Sequence, residues 1–316
     1  MKDRLRSRLE LLRVFLTPTA VSDSLAGFIG ADSLSTEPLR APPSQAALVA
    51  GASIAAYWLG MVLNDIFDRK KDLLTAPGKP IPSGRISLRE AVVTAVTVGA
   101  AALALGIAAQ APVLAVGLLA AIVAYDAGGK NVPILGNLLM GLCRSANFLL
   151  GAAAARGQTM ALTTPALIAG AATLGAFIVL VTAVSRLEDE PFDAGRLLRR
   201  SAWALGIPLG LWLARWDDVF SAVNSAGLAW LLIDALRSAR GVGLNRNARF
   251  HGAAIFVRKA LAGVFFVDAG VVLAILPGDA TAGEAGRAPV IAIFYALFGL
   301  TWLWKRQWLR RGSSGS

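Results

Sequence analysis

The feature that most constrains this chain is the recurrence of apolar runs near the ~20 residues a helix needs to cross a bilayer. Such runs are read near 12–32, 44–63, 88–108, 112–127, 134–155, 161–184, 200–214, 218–237, 251–276 and 288–306. In lipid every backbone N–H and C=O must be satisfied internally, so only helices or a closed barrel can span. No alternating strand pattern appears, and the expected class is an all-α polytopic membrane protein. Of 316 residues, 56% are hydrophobic and 16% charged, against about 25% charged in a soluble domain. That leaves no soluble domain of useful size.

The net charge of +11 invites a nucleic-acid reading, and its distribution argues against one. Counted from a cytoplasmic N-terminus, all of the 31 basic residues except Arg40, Arg156, Arg215 and Arg287 fall on or next to the cytoplasmic side. This is the positive-inside bias of a multi-pass protein. It puts both ends and all the polar loops in the cytoplasm, in a membrane of bacterial inner (cytoplasmic) type. Lys2, Arg4, Arg6 and Arg8 do not read as a signal peptide, because the next apolar run holds Pro18 and Asp23 and no clear cleavage site. The single cysteine, Cys143, excludes a disulfide within the chain. Gly312–Ser316 reads as the remnant of an appended tag.

At the end of the second run stand Asn64, Asp65, Asp68 and Asp72. Spacings of three and four put these side chains on one helical face. Unpaired acids there would repel one another, and a hard cation such as Mg²⁺, which also holds substrate phosphates, would relieve them. The blander reading is a solvated acidic cap with Arg69, Lys70 and Lys71 as salt partners. The next loop, Lys79-Pro80-Ile81-Pro82-Ser83-Gly84-Arg85-Ile86-Ser87, cannot continue a helix. Lys79 and Arg85 are candidates to hold phosphate oxygens. Attraction to lipid headgroups accounts for part of Lys70, Lys71 and Arg89.

The acidic motif followed by this loop resembles the UbiA superfamily of intramembrane prenyltransferases, over roughly residues 12–276. The resemblance implies a bundle of nine transmembrane helices around a central cavity, with 277–311 adding a tenth helix. It implies Mg²⁺ on Asp65, Asp68 and Asp72, helped by Asn64, and a proline-rich loop that caps the site. Tyr125-Asp126-Ala-Gly-Gly-Lys130 is similar to a family element in which the Lys assists the diphosphate and the Tyr lies near the reacting carbon. This chain has one residue more between them. The family's second aspartate motif falls at Ser185-Arg186-Leu187-Glu188-Asp189-Glu190-Pro191-Phe192-Asp193. In one register Asp189 and Asp193 are the ligands; in the other Glu188 and Asp189 are, and Ser185 replaces an aspartate. In both, Arg186 is an unusual positive charge within the motif and one acid is lost. The combination is most similar to the EboC-like branch.

Deeper in the membrane, Asp23 is expected in the substrate pocket, with Thr19 and Ser22 beside it, because an intramembrane acid is costly and usually faces a cavity. Arg144 must find an anion or carbonyls at such depth, and it joins Asn147 in the expected cavity wall. Gly141 permits close helix packing. Asp234 and Asp268 carry no recognised motif, with Arg258 and Lys259 as possible partners, and His251 reads as interfacial. The function expected is Mg²⁺-dependent transfer of an isoprenyl group from an allylic diphosphate lipid to a small aromatic or cyclitol-like acceptor at the cytoplasmic side. The alternatives are transfer of a phosphorylated sugar or cyclitol unit onto a polyprenyl phosphate, and transport using Asp23, Asp234 or Asp268. The enzyme readings require Asp68 and Asp189 across one cavity, with Arg85 and Lys130 pointing into its opening and Arg144 into its wall.

Overall fold

The computed structural model describes residues 2–34, 41–189, 193–214, 218–243, 251–276 and 288–301, and among these it contains helices and no strand. In order they are α1 (Lys2–Leu11), α2 (Thr17–Ser33), α3 (Pro43–Phe67), α4 (Arg69–Thr75), α5 (Leu88–Ala108), α6 (Pro112–Asp126), α7 (Pro133–Arg156), α8 (Gln158–Thr163) and α9 (Pro165–Ser185). Then come α10 (Ala194–Ala202), α11 (Gly206–Leu213), α12 (Val219–Gly243), α13 (His251–Ala260) and α14 (Val264–Ile275). The last, α15, spans Ala288–Thr301.

Proline sets where several of these helices start. Pro18, Pro43, Pro112, Pro133 and Pro165 stand in first turns, where a fixed φ helps and the missing N–H has no partner to lose. Ser87 starts α5 by accepting the Glu90 N–H on its hydroxyl.

Among the described residues, six helical segments are long and apolar enough to cross a membrane, and α6 and α15 are apolar but shorter. The helical class is therefore as expected, while the count of nine plus one is not reproduced. The run 200–214 is not one helix: a 3₁₀ turn at Trp203–Leu205 separates α10 from α11. Pro208 has no N–H for the turn before it, which weakens continuity at that point. The run 251–276 is likewise divided, at Leu261–Gly263.

Glycine decides how closely the central helices meet. A Cβ on Gly27 of α2 would lie 1.8 Å from the Phe148 carbonyl oxygen of α7, and one on Gly151 of α7 would lie 1.8 Å from that of Ser24. A Cβ on Gly141 would lie 2.7 Å from the Gly175 carbonyl oxygen, so α7 also meets α9 backbone to backbone. Small residues of this kind carry helix association where lipid removes the hydrophobic drive. The outer face of α5 exposes Val92, Val93 and Val96, as a lipid-facing surface should. Walls from α2, α3, α6, α7, α9 and α13 enclose a cavity of about 400 Å³.

Gly151→Val should therefore be strongly destabilising, by about 3 kcal/mol or more, because backbone and not a movable side chain blocks the added methyls. Gly117→Ala, whose Cβ meets nothing within 4 Å, is the matched control. Thermal unfolding of the detergent-solubilised protein checks both.

Candidate active site

Arg13, Asn64, Tyr125 and Asp126 line one end of the cavity, and Asp65, Asp68, Asp72, Lys79 and Lys130 are linked to them from outside that lining. Asp68 is the C-cap of α3 and the turn from which α4 departs. Asp72, seven residues after Asp65, lies on the same side of the chain. Both are buried, and the Lys79 ammonium bridges them, at 2.7 Å from Asp72 Oδ2 and 3.3 Å from Asp65 Oδ1. Asn64 and Asp68, four residues apart, both face Lys130. Its Nζ lies 3.1 Å from Asn64 Oδ1, 2.9 Å from Asp68 Oδ1 and 3.4 Å from Asp126 Oδ1. Lys130 stands in a 3₁₀ turn, Gly129–Asn131, directly before α7. Asn64, Tyr125 and Asp126 line the cavity.

Arg13 completes this cluster, and the motif reading did not single it out. Its Nη2 lies 3.1 Å from Asp65 Oδ1, and its side chain lines the cavity. Its backbone is left-handed, at φ 46° and ψ 47°, a conformation that costs a non-glycine residue energy and gathers at functional sites. The Tyr57 hydroxyl donates to its carbonyl at 3.5 Å. The available signal was an arginine at the start of an apolar run, which also reads as an ordinary membrane anchor.

The remaining expected residues divide. Arg85 is not placed at the cavity: its guanidinium binds Glu10 of α1 at 2.7 and 3.1 Å and the Gly78 carbonyl at 2.6 Å. Donating to the Glu10 carboxylate pushes its pKa above the ordinary arginine value. Arg186 supports the Lys130 turn from behind, donating to Asn137 Oδ1 at 2.8 Å and to the Lys130 carbonyl at 3.1 Å. Ser185 lines the cavity, so the second and sixth apolar runs do share it. The side chains of Glu188 and Asp189 lie outside the described residues. Asp193 is exposed and caps α10, accepting from the Gly195 and Arg196 N–H groups. The Arg196 amide above all holds its carboxyl below the usual range. Arg144 and Asn147 line the cavity, whereas Asp23 lies fully buried behind them. Asp234 pairs with Lys259 at 2.5 Å.

The donor chemistry fits Mg²⁺. Asp65, Asp68, Asp72 and Asn64 offer hard oxygens, and two of the carboxylates already share one cation, the Lys79 ammonium. Among the described residues no three acid, histidine or cysteine side chains are gathered closely enough to hold an ion as they stand. Arg13, Lys79 and Lys130 occupy oxygens of the same carboxylates.

A sequence model of the UbiA prenyltransferase family matches residues 24–257. The chain is 34% identical to the digeranylgeranylglyceryl phosphate synthase of Natronomonas pharaonis over 234 residues, 73% of this chain and 79% of that protein. It is 28% identical to the synthase of the same name from Methanothrix thermoacetophila, over 71% and 86% of the two chains. Its fold is similar to the ligand-free UbiA homologue of Aeropyrum pernix K1, with TM-score 0.62 and 18% identity over 83% of this chain and 98% of that one. It is similar also to the Archaeoglobus fulgidus UbiA homologue bound to GPP and Mg²⁺, with TM-score 0.55 and 18% identity over 83% and 99%. These likenesses carry the family and not the finer one to the EboC-like branch.

Lys130→Met strands Asp126, which is 3% exposed, and should cost about 3–5 kcal/mol of stability, the usual penalty for breaking a buried pair. Adding Asp126→Asn should recover part of that loss. A double-mutant cycle of unfolding free energies measures the coupling.

Proposed function

The chain belongs to the UbiA prenyltransferase family, and we propose that it moves an isoprenyl group from an allylic diphosphate to a lipid-borne glyceryl phosphate. The observation that carries this is the acid and cation cluster of Asp65, Asp68, Asp72, Arg13, Lys79 and Lys130 at one end of a mostly apolar cavity. The name of the relatives supports the acceptor. A product with two geranylgeranyl groups on glyceryl phosphate requires adding one such group to a glyceryl phosphate that already bears one. This acceptor replaces the aromatic or cyclitol-like one expected from the motifs. Those relatives are archaeal, which supports a cytoplasmic membrane carrying such lipids over a specifically bacterial one. The homologue bound to GPP and Mg²⁺ supports an allylic donor and that ion.

Asp65, Asp68 and Asp72, with Asn64, would hold Mg²⁺, and a bound ion supplies Lewis-acid stabilisation of the leaving diphosphate. Asp189, with Glu188 or Asp193, would serve a second ion. Lys79, Lys130 and Arg13 exchange part of their carboxylate contacts for diphosphate oxygens, offering fixed positive charge where negative charge develops. Arg186 keeps the Lys130 turn in place. The donor's C1–O bond breaks and its electron pair leaves with the diphosphate. Met61, Leu118, Ile122 and Met140 line the cavity and keep water from the allylic cation. The ring of Tyr125 supplies a face to that cation. The acceptor hydroxyl oxygen forms the new C–O bond, and its proton passes to the departing diphosphate.

Asp68→Ala should lower turnover of labelled geranylgeranyl diphosphate by about a hundredfold or more, the scale of losing one preorganised charge-stabilising group. Chelation should abolish turnover of the unaltered protein and added Mg²⁺ should restore it. Undiminished Mg²⁺-dependent product from Asp68→Ala, followed by mass spectrometry of the lipid, would contradict the assignment.

A further inference from the structure

The loop between α4 and α5 carries Lys79, and little of its own backbone can hold it. Pro77, Pro80 and Pro82 have no N–H to donate. The Ser83 N–H donates to the Lys79 carbonyl at 3.0 Å and the Ile86 N–H to the Pro80 carbonyl at 3.0 Å. Side-chain bonds from Arg85 add to these. Gly84, between Ser83 and Arg85, is left-handed at φ 73°, a conformation glycine takes at little cost. Arg85 Nη2 donates to the Gly78 carbonyl at 2.6 Å and its Nε to Ser83 Oγ at 3.0 Å. Ser83 Oγ in turn donates to the Lys79 carbonyl at 2.7 Å. The Gly78 and Lys79 carbonyls belong to the two peptide units on either side of the Lys79 Cα. Each unit is planar, so holding both holds the backbone angles of Lys79 and the direction in which its side chain leaves.

The same guanidinium is docked on α1. Its Nη1 donates to Glu10 Oε2 at 2.7 Å and its Nη2 to Glu10 Oε1 at 3.1 Å, and Nη1 also donates to Ser7 Oγ at 3.3 Å. With Gly78 and Ser83, these bonds engage every N–H a guanidinium has, leaving none for a phosphate oxygen. A forked carboxylate contact fixes orientation as well as distance, and lysine does not reproduce it. Three residues after Glu10 comes Arg13, which meets Asp65 Oδ1 at 3.1 Å, the same oxygen that Lys79 approaches at 3.3 Å. The contacts therefore close a ring, from Asp65 through Arg13 to Glu10, across to Arg85, and through the loop to Lys79 and back.

We propose that Arg85 is a positioning residue: anchored on Glu10 and Ser7 of α1, it fixes the peptide units flanking Lys79 and so holds the Lys79 ammonium between Asp65 and Asp72. This role rests on the prenyl-transfer reading for the use of Lys79, and on the loop geometry for its place.

The test uses the full-length protein with labelled geranylgeranyl diphosphate as donor and geranylgeranylglyceryl phosphate as acceptor. Arg85→Ala should lower kcat/KM for the donor about tenfold or more, the scale of one lost charge-assisted hydrogen bond, with the acceptor KM within about twofold. Glu10→Gln should lose about threefold, since the amide keeps one acceptor oxygen. Arg85→Lys keeps the charge without the fork and should stay at least about threefold below the unaltered protein. In a Lys79→Ala background, Arg85→Ala should change kcat/KM by less than about twofold, because its effect passes through Lys79. Glu90→Gln removes the other bridge of α1, to Arg8 at 2.7 Å, and should stay within about twofold. An Arg85→Ala loss undiminished in the Lys79→Ala background overturns the proposal, and so does full activity of Arg85→Ala or Arg85→Lys. A Glu90→Gln loss equal to that of Glu10→Gln also overturns it, since docking of α1 alone would then account for the effect. Amine labelling read by mass spectrometry follows Lys79 without substrate. Lys79, half-buried, should react more slowly than the exposed Lys70, and Arg85→Ala should speed its labelling about threefold or more relative to Lys70. Unchanged labelling of Lys79 overturns the proposal whatever the activity. If the unaltered protein does not turn over the donor, the prenyl-transfer reading fails by itself, and the labelling alone decides whether Arg85 positions Lys79.

Discussion

Three parts of the chain converge on the ammonium of Lys130. Asn64 and Asp68 reach it from the end of α3, Asp126 reaches it from α6, and Arg186 holds its backbone carbonyl from the turn after α9. In lipid, apolar side chains gain little by choosing one another over acyl tails, so close packing and polar links must hold helices together. The glycine contacts of α2, α7 and α9 supply the first, and Lys130 supplies the second at the loop end. The acids could not collect there otherwise. Asp65, Asp72 and Asp126 are buried, and buried like charges disfavour one another unless cations stand between them.

Those cations are also the groups a diphosphate needs. Lys79 bridges two carboxylates and Arg13 shares one of them, so each holds the acids in place, and Arg13 also lines the cavity. Stability and substrate binding then draw on one set of side chains. The left-handed backbone at Arg13 fits this economy. A strained residue persists only where its surroundings over-determine it, and here Tyr57 and Asp65 hold its two ends.

Local spacing made part of this legible. Asn64 and Asp68, four apart, do meet one partner, and Lys79 of the proline-rich loop does return to Asp65 and Asp72. Spacing alone did not show that α3 ends at Asp68 and α4 starts there. Charge alone could not separate Lys79 from Arg85, because Arg85 is claimed by Glu10, 75 residues away. Asp268 carried no motif, and its hydroxyl partner lies 246 residues earlier. The apolar run at 200–214 satisfied length and composition, yet the helix breaks before Pro208. Long-range partners and local breaks are invisible to a window that reads one run at a time.

The direct contacts at the loop end are unequal in charge. Asp65, Asp68, Asp72 and Asp126 face Arg13, Lys79 and Lys130, four acids against three cations. An excess of negative charge repels a bare diphosphate and favours a divalent cation, so the cluster is biased toward a diphosphate that arrives with its metal. The deeper region differs. There Arg144, which lines the cavity, is paired at 3.0 Å with the fully buried Asp23 behind it, so its charge is already answered by the protein, as a guanidinium at membrane depth requires.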